Sequence, residues 1–139
     1  MVRSIGAILG LDQLAIHTTM PLSRSTRSQL TDEEVLPLMK ANELLRMVRK
    51  DIKSQYLTIF YYVAAHDPCY LKSIEEDLGF SQGACSRGSD YLSATDRFGK
   101  PGLNWIVKKE DNLDARRMVL SLTPTGKAVI RQLKEALYG

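Results

Sequence analysis

Ser81, Gln82, Ala84, Ser86 and Arg87 fall within one short stretch that follows Gly79 and carries no acid before Asp90. Small and polar side chains of this kind, placed at the start of a helix, suit an approach to DNA. The helix dipole favours phosphate at its N-terminus, and the side chains reach base edges in a major groove. A second basic group lies further on, where Lys108, Lys109, Arg116 and Arg117 flank a stretch with hairpin character. Cations on such a hairpin can hold phosphates.

Other reactive types are sparse. His66-x-x-Cys69 has a spacing that could ligate a metal, but no further His or Cys lies nearby. For Cys69 and Cys85 no basic neighbour is evident in the sequence to depress either thiol. Trp105 and Tyr91 could stack on a nucleotide, but packing between hairpin and helix explains them better. Glu75-Glu76-Asp77 reads as a solvated face. No nucleophile–base set, phosphate loop or cofactor motif is present, so the sequence points away from an enzyme and calls for no metal or cofactor.

Length and composition agree. A chain of 139 residues, 44% hydrophobic and 25% charged, is enough for one domain with a modest core and an added arm or helix. The net charge of +3 is unevenly spread: +2 over residues 1–30, −3 over 31–80 and +4 over 81–139. The excess of cations thus accompanies the proposed reading helix and hairpin, as a phosphate-facing surface requires. The two cysteines make no disulfide framework. The apolar run from Ser4 to Leu11 is too short for a membrane span and lacks a cleavage pattern, so a cytoplasmic protein without membrane contact is expected.

Several elements must position these residues. Residues 1–30 read as an N-terminal extension or arm, with a basic linker from Pro21 to Ser28. Thr31 and Glu34 have the form of a capping box for a helix over 31–53, whose apolar residues run from Val35 to Ile52. About 20 residues would make it roughly 30 Å long, which makes it a candidate for subunit contact. Gln55 to Ala65, with Ser54 as cap, is apolar on nearly all sides and therefore a buried central helix. Cys69 to Leu71 reads as a short strand and Ser73 to Leu78 as a helix closed by Gly79. Ser81 then caps the reading helix. A turn-rich loop follows from Ser93 to Gly102. The strands Leu103–Lys109 and Arg117–Leu122 flank a polar tip. Thr123-Pro124 opens a last helix over 123–139 with Val129, Ile130, Leu133, Ala136 and Leu137 on one face. The fold class is mainly α with a small β-hairpin wing: a winged helix-turn-helix over 54–122 with flanking dimerisation helices.

At the wing the residues go further. Asp114-Ala115-Arg116, followed by Leu122-Thr123 and Gly126, resembles the Asp-x-Arg … Leu-Thr-x-x-Gly signature of MarR-family transcriptional regulators. The segment Leu78 to Gln82, with Ser86, Arg87 and Asp90, is similar to that family's reading helix, and residues 31 to 137 can be laid along its pattern. The resemblance implies a homodimer on a pseudo-palindromic double-stranded DNA site, with each recognition helix in a major groove. It also implies that Arg116 enters the adjacent minor groove and that Asp114 orients it through a charge-assisted pair. A small-molecule effector is a further family trait, but no residue here identifies its pocket.

Three departures stand out. Asp90-Tyr91-Leu92 replaces the family's Asp-Arg-Leu and loses a cation. The loop from Ala94 to Pro101 is longer than usual. The closing helix is short against the family's C-terminal dimerisation region, which shifts the expected subunit contact to residues 1–53. The expected function is sequence-specific DNA binding by a transcriptional regulator, with repression the expected sign. The alternative is a winged-helix interaction module whose basic wing meets an acidic surface on a polymerase or replication component.

Overall fold

The computed structural model of the chain describes residues 32–139. The basic arm of residues 1–30 and the Thr31 cap lie outside the described residues. Just before the helix, Asp32 Oδ1 accepts the Glu34 N–H at 2.9 Å. Helix α1 then runs from Leu36 to Val48 with Pro37 in its first turn, where the missing N–H costs nothing. It is a 13-residue helix, well short of the span predicted over 31–53. Ile52 extends the apolar period in the sequence, but it packs on the core from the turn that follows the helix.

Helix α2, Ser54–Ala65, supplies the centre of the core through Ile59, Phe60 and Val63, all fully buried. Strand β1, Cys69–Tyr70, leads directly into helix α3, Leu71–Leu78, whose Ile74 is also fully buried. Gly79 closes α3 at φ 68°, with its N–H bonded to Glu75 O. That left-handed conformation is the one glycine adopts without a Cβ penalty. Ser81 Oγ accepts the Ala84 N–H at 3.1 Å and starts helix α4, Gln82–Leu92.

The strands β2, Ile106–Glu110, and β3, Met118–Leu122, form an antiparallel hairpin, with β1 on the other edge of β3. The sequence predicts a first strand from Leu103, but Leu103, Asn104 and Trp105 are irregular. Their N–H groups bond to Tyr91 O, Ser93 O and Leu92 O at the end of α4, and Asn104 has φ 57°. The α4 terminus therefore takes the hydrogen bonds that a strand neighbour would have supplied.

Helix α5, Pro124–Tyr138, starts as its sequence predicts: Thr123 Oγ1 accepts the Gly126 N–H at 3.0 Å, with proline behind the cap. It packs against α1. The core joins Trp105, Ile106, Leu120 and Leu92 to the α2 residues, with the Trp105 and Phe60 ring centres 4.7 Å apart. No helix of the described residues is long and apolar enough to cross a membrane.

Candidate nucleic-acid interface

Helix α4 has two faces. Ala84, Cys85, Gly88, Ser89 and Leu92 are buried at helical spacing. A Cβ at Gly88 would meet Ile59 Cδ1 at 2.6 Å, so α4 lies close on α2 and is held rigidly there. The opposite face exposes Gln82, Gly83 and Arg87, with Ser86 and Asp90 half-buried beside them. Ala84 belongs to the inner face, one turn before Gly88, because α4 packs on α2 through that face. Its expected place among the reading side chains is therefore corrected. No acid occupies the first turn of α4, which leaves its N-terminal dipole available to an anion.

In the wing, Asp114 sits at the turn between β2 and β3. Its Oδ1 accepts the Arg116 backbone N–H at 3.0 Å and the Arg116 Nε at 3.1 Å, while Oδ2 lies 3.4 Å from Nη2. These hydrogen bonds, the Arg116 side chain first, hold the Asp114 carboxyl below its ordinary value. The Arg116 side chain is nonetheless 91% exposed. It projects from the tip with its orientation set and its charge uncovered. Arg117 is 3.9 Å from Asp114 Oδ2, and its guanidinium lies over the Tyr70 ring at 5.1 Å. Tyr70 in turn donates to Asp111 at 3.0 Å. Arg117 thus braces the wing turn against β1 while its side chain stays exposed.

Strand alternation separates the two wing lysines. Lys109 is exposed, whereas Lys108 turns toward α4, where its Nζ donates to Asp90 Oδ1 at 2.7 Å. The Lys108 side chain is 19% exposed. It is a fastening between wing and helix rather than the free phosphate cation that the sequence suggests.

Sequence reasoning misses Arg97. The long loop is a compact knuckle in which Thr95 bridges Pro101, Asp96 N–H bonds to Lys100 O, and Asp96 Oδ1 accepts the Phe98 and Lys100 N–H groups. Gly99 takes φ 80° at its tip. This fold brings Arg97 back onto α4, where Nη2 donates to Ser86 Oγ at 2.8 Å and Nε to Asp90 Oδ2 at 3.3 Å. A signal exists in the sequence: Asp96 and Gly99 stand at the first and last positions of a tight turn, just beyond the missing cation. Tyr91, which stands in that cation's place, packs on Tyr56 and lies under the Arg49 guanidinium.

The remaining candidates resolve differently. Trp105 is buried in the core rather than free to stack on a base. Burial, with the Asp67 charge behind it, pushes the Cys69 thiol up to about 11, and burial raises Cys85 as well. Raised thiols stay protonated near neutral pH and are poor nucleophiles. His66 stacks on Tyr62, with Nδ1 3.0 Å from Tyr62 O. Among the described residues no group of three or more His, Cys, Asp or Glu could hold a metal ion. Asp77 accepts a hydrogen bond from the Tyr62 hydroxyl and so ties α3 to α2.

No protein-family model and no curated protein matches this sequence. Solved structures do. RV1404 from Mycobacterium tuberculosis is 22% identical over 87% of this chain and 78% of its own, with a TM-score of 0.59. Transcriptional regulator Tm0710 from Thermotoga maritima is 16% identical over 83% of this chain and 74% of its own, also at 0.59. A cysteine-to-serine mutant of MarR from E. coli, complexed with operator DNA, is 15% identical over 99% of this chain and 80% of its own, at 0.57. The fold is the MarR-type winged helix.

Proposed function

We propose that the protein is a MarR-type, sequence-specific double-stranded DNA-binding regulator of transcription that acts as a homodimer and represses. In this reading Ser81, Gln82, Ser86 and Arg87 meet a major groove, and the wing carries Arg116 into the neighbouring minor groove. Arg117 and Lys109 hold phosphates, and Asp114 presets Arg116. The observation that carries it is the Asp114–Arg116 pair: an arginine side chain that is 91% exposed, with its guanidinium oriented by two contacts to a carboxylate that also accepts the Arg116 backbone N–H. Fixing an exposed arginine lowers the ordering cost of inserting it into a narrow, electronegative groove. The likeness to MarR, whose mutant was solved with operator DNA, supports the same reading.

Binding of the purified protein to a randomised duplex pool, followed by selection and a salt titration, tests it. A two-fold-symmetric site with half-sites about one helical turn apart is the expected outcome. If roughly six to eight phosphates are neutralised per dimer, the log–log salt slope is about −5 to −7. Arg116→Ala should weaken binding by about 1–3 kcal/mol. An Arg116→Ala protein that binds like the parent sinks the wing assignment. Absence of any enriched sequence favours the other reading, in which the basic wing meets an acidic surface of a polymerase or replication component.

A further inference from the structure

We propose that Arg97 is a third DNA contact, a phosphate ligand seated between the recognition helix and the wing. This rests on the reading above, in which α4 and the wing occupy neighbouring grooves. The strand that separates a major groove from the adjacent minor groove must then cross the surface between α4 and β2. That surface is an open cleft of about 510 Å³ lined by Ser86, Asp90, Thr95, Arg97, Lys108 and Met118.

The charges in the cleft divide unequally. Asp90 faces two cations and neutralises one. Lys108 is the closer partner, at 2.7 Å with both side chains largely buried, 19% and 16% exposed. Arg97 sits at 3.3 Å and its side chain is 55% exposed. Lys108 therefore satisfies the carboxylate, and the surplus positive charge stays with Arg97. Of its guanidinium nitrogens, Nε and Nη2 are engaged by Asp90 and Ser86. Nη1 makes no hydrogen bond among the described residues and is the donor left for a phosphate oxygen.

The knuckle makes this contact ready-made. Five hydrogen bonds fix the loop from Thr95 to Pro101 before any DNA arrives: Asp96 N–H to Lys100 O and Gly102 N–H to Ala94 O, which together pair Thr95 with Pro101, Gly99 N–H to Asp96 O, and two to the Asp96 carboxylate. A loop ordered in advance loses less entropy on binding. The extra length of the loop and the tyrosine at position 91 thus have one explanation. The cation absent from the helix is returned from outside it, and Lys100 adds a further charge at the tip.

The test compares the full chain with Arg97→Ala, Arg97→Gln, Arg97→Lys and Arg116→Ala on the selected site and on a scrambled duplex across a salt series, with thermal melts alongside. Arg97→Gln keeps a polar reach toward Ser86 without charge, which guards against loss of the knuckle in the alanine variant. The Ala and Gln variants should lower the magnitude of the salt slope by about one per half-site and weaken both duplexes alike, about five-fold per contact near 0.15 M salt. Arg97→Lys should restore the slope, and the Gln variant should melt with the parent. An unchanged slope in Arg97→Gln, or melting losses in every variant with the slope kept, overturns the proposal while Arg116→Ala still reports the wing. A parent that prefers no sequence, with Arg116→Ala indistinguishable from it, overturns the regulator reading and this contact with it.

Discussion

The Asp114–Arg116 pair is exposed, so its value lies in geometry rather than in folding energy. Exposed ion pairs contribute little to stability. The same pairing has a clear pH signature. The Asp114 carboxyl is held below its ordinary value by the Arg116 hydrogen bonds, with Arg117 contributing least. A depressed carboxyl favours the folded wing fully above the ordinary carboxylate range, and loses that contribution as pH falls through its lowered value. DNA binding should therefore show no Asp114 titration between about pH 5 and 8. Carboxyl carbon NMR is expected to place the Asp114 midpoint below the ordinary aspartate value, moving up toward it in Arg116→Ala. A midpoint that does not move in Arg116→Ala would mean that the pair does not persist in solution. The resemblance of Asp114-Ala115-Arg116 to the MarR-family wing signature is what makes this pair legible in the sequence. Lys108 is not legible in the same way, because a lysine reads as a free cation until the strand phase shows which acid it faces.

At the scale of elements, the sequence reveals local closures well and lateral contacts poorly. Gly79, the Ser81 cap and the Thr123-Pro124 start are each decided within four residues, and each stands as the sequence reads. The ends of α1 and β2 are decided elsewhere. Ile52 serves the turn rather than the helix, and the N–H groups of Leu103 to Trp105 are claimed by the end of α4. The inward turn of Ala84 escapes the sequence because the buried face of α4 is set by α2, which is close enough to exclude a Cβ at Gly88. Two glycines separate these kinds of constraint. A Cβ at Gly79 would meet nothing within 4 Å, but φ is +68°, so Gly79→Ala should cost about 1 kcal/mol from conformation alone. A Cβ at Gly126 would lie 2.0 Å from Trp105 O, where helix α5 meets the wing root. Gly126→Ala should cost roughly 3 kcal/mol or more, because backbone must move to admit it. Urea denaturation of the two variants checks the order; equal losses would show that α5 and the wing root can part at little cost.

For the whole molecule, the proposed homodimer requires a surface that brings two copies of α4 together. Helices α1, α2 and α5 leave a groove of about 550 Å³ lined by Leu38, Ala41, Leu45, Leu57, Leu133 and Leu137. Beside it, Leu38, Met39 and Tyr138 are 60%, 55% and 85% exposed. Apolar surface gathered in this way on one side of a small domain favours association, and a second copy related by a two-fold axis would match a palindromic site. Because Leu38 is largely exposed, Leu38→Glu should leave the fold intact while placing charge in the apolar contact. Sedimentation equilibrium should show the parent as a dimer and Leu38→Glu shifted toward monomer. Binding to a single half-site should be unchanged, since α4, the knuckle and the wing are remote from α1's first turns. Binding to the full site should fall by about 10² or more, because the second half-site is no longer held at high effective concentration. A parent that sediments as a monomer and yet binds the full site tightly would instead place the coupling between half-sites in the DNA.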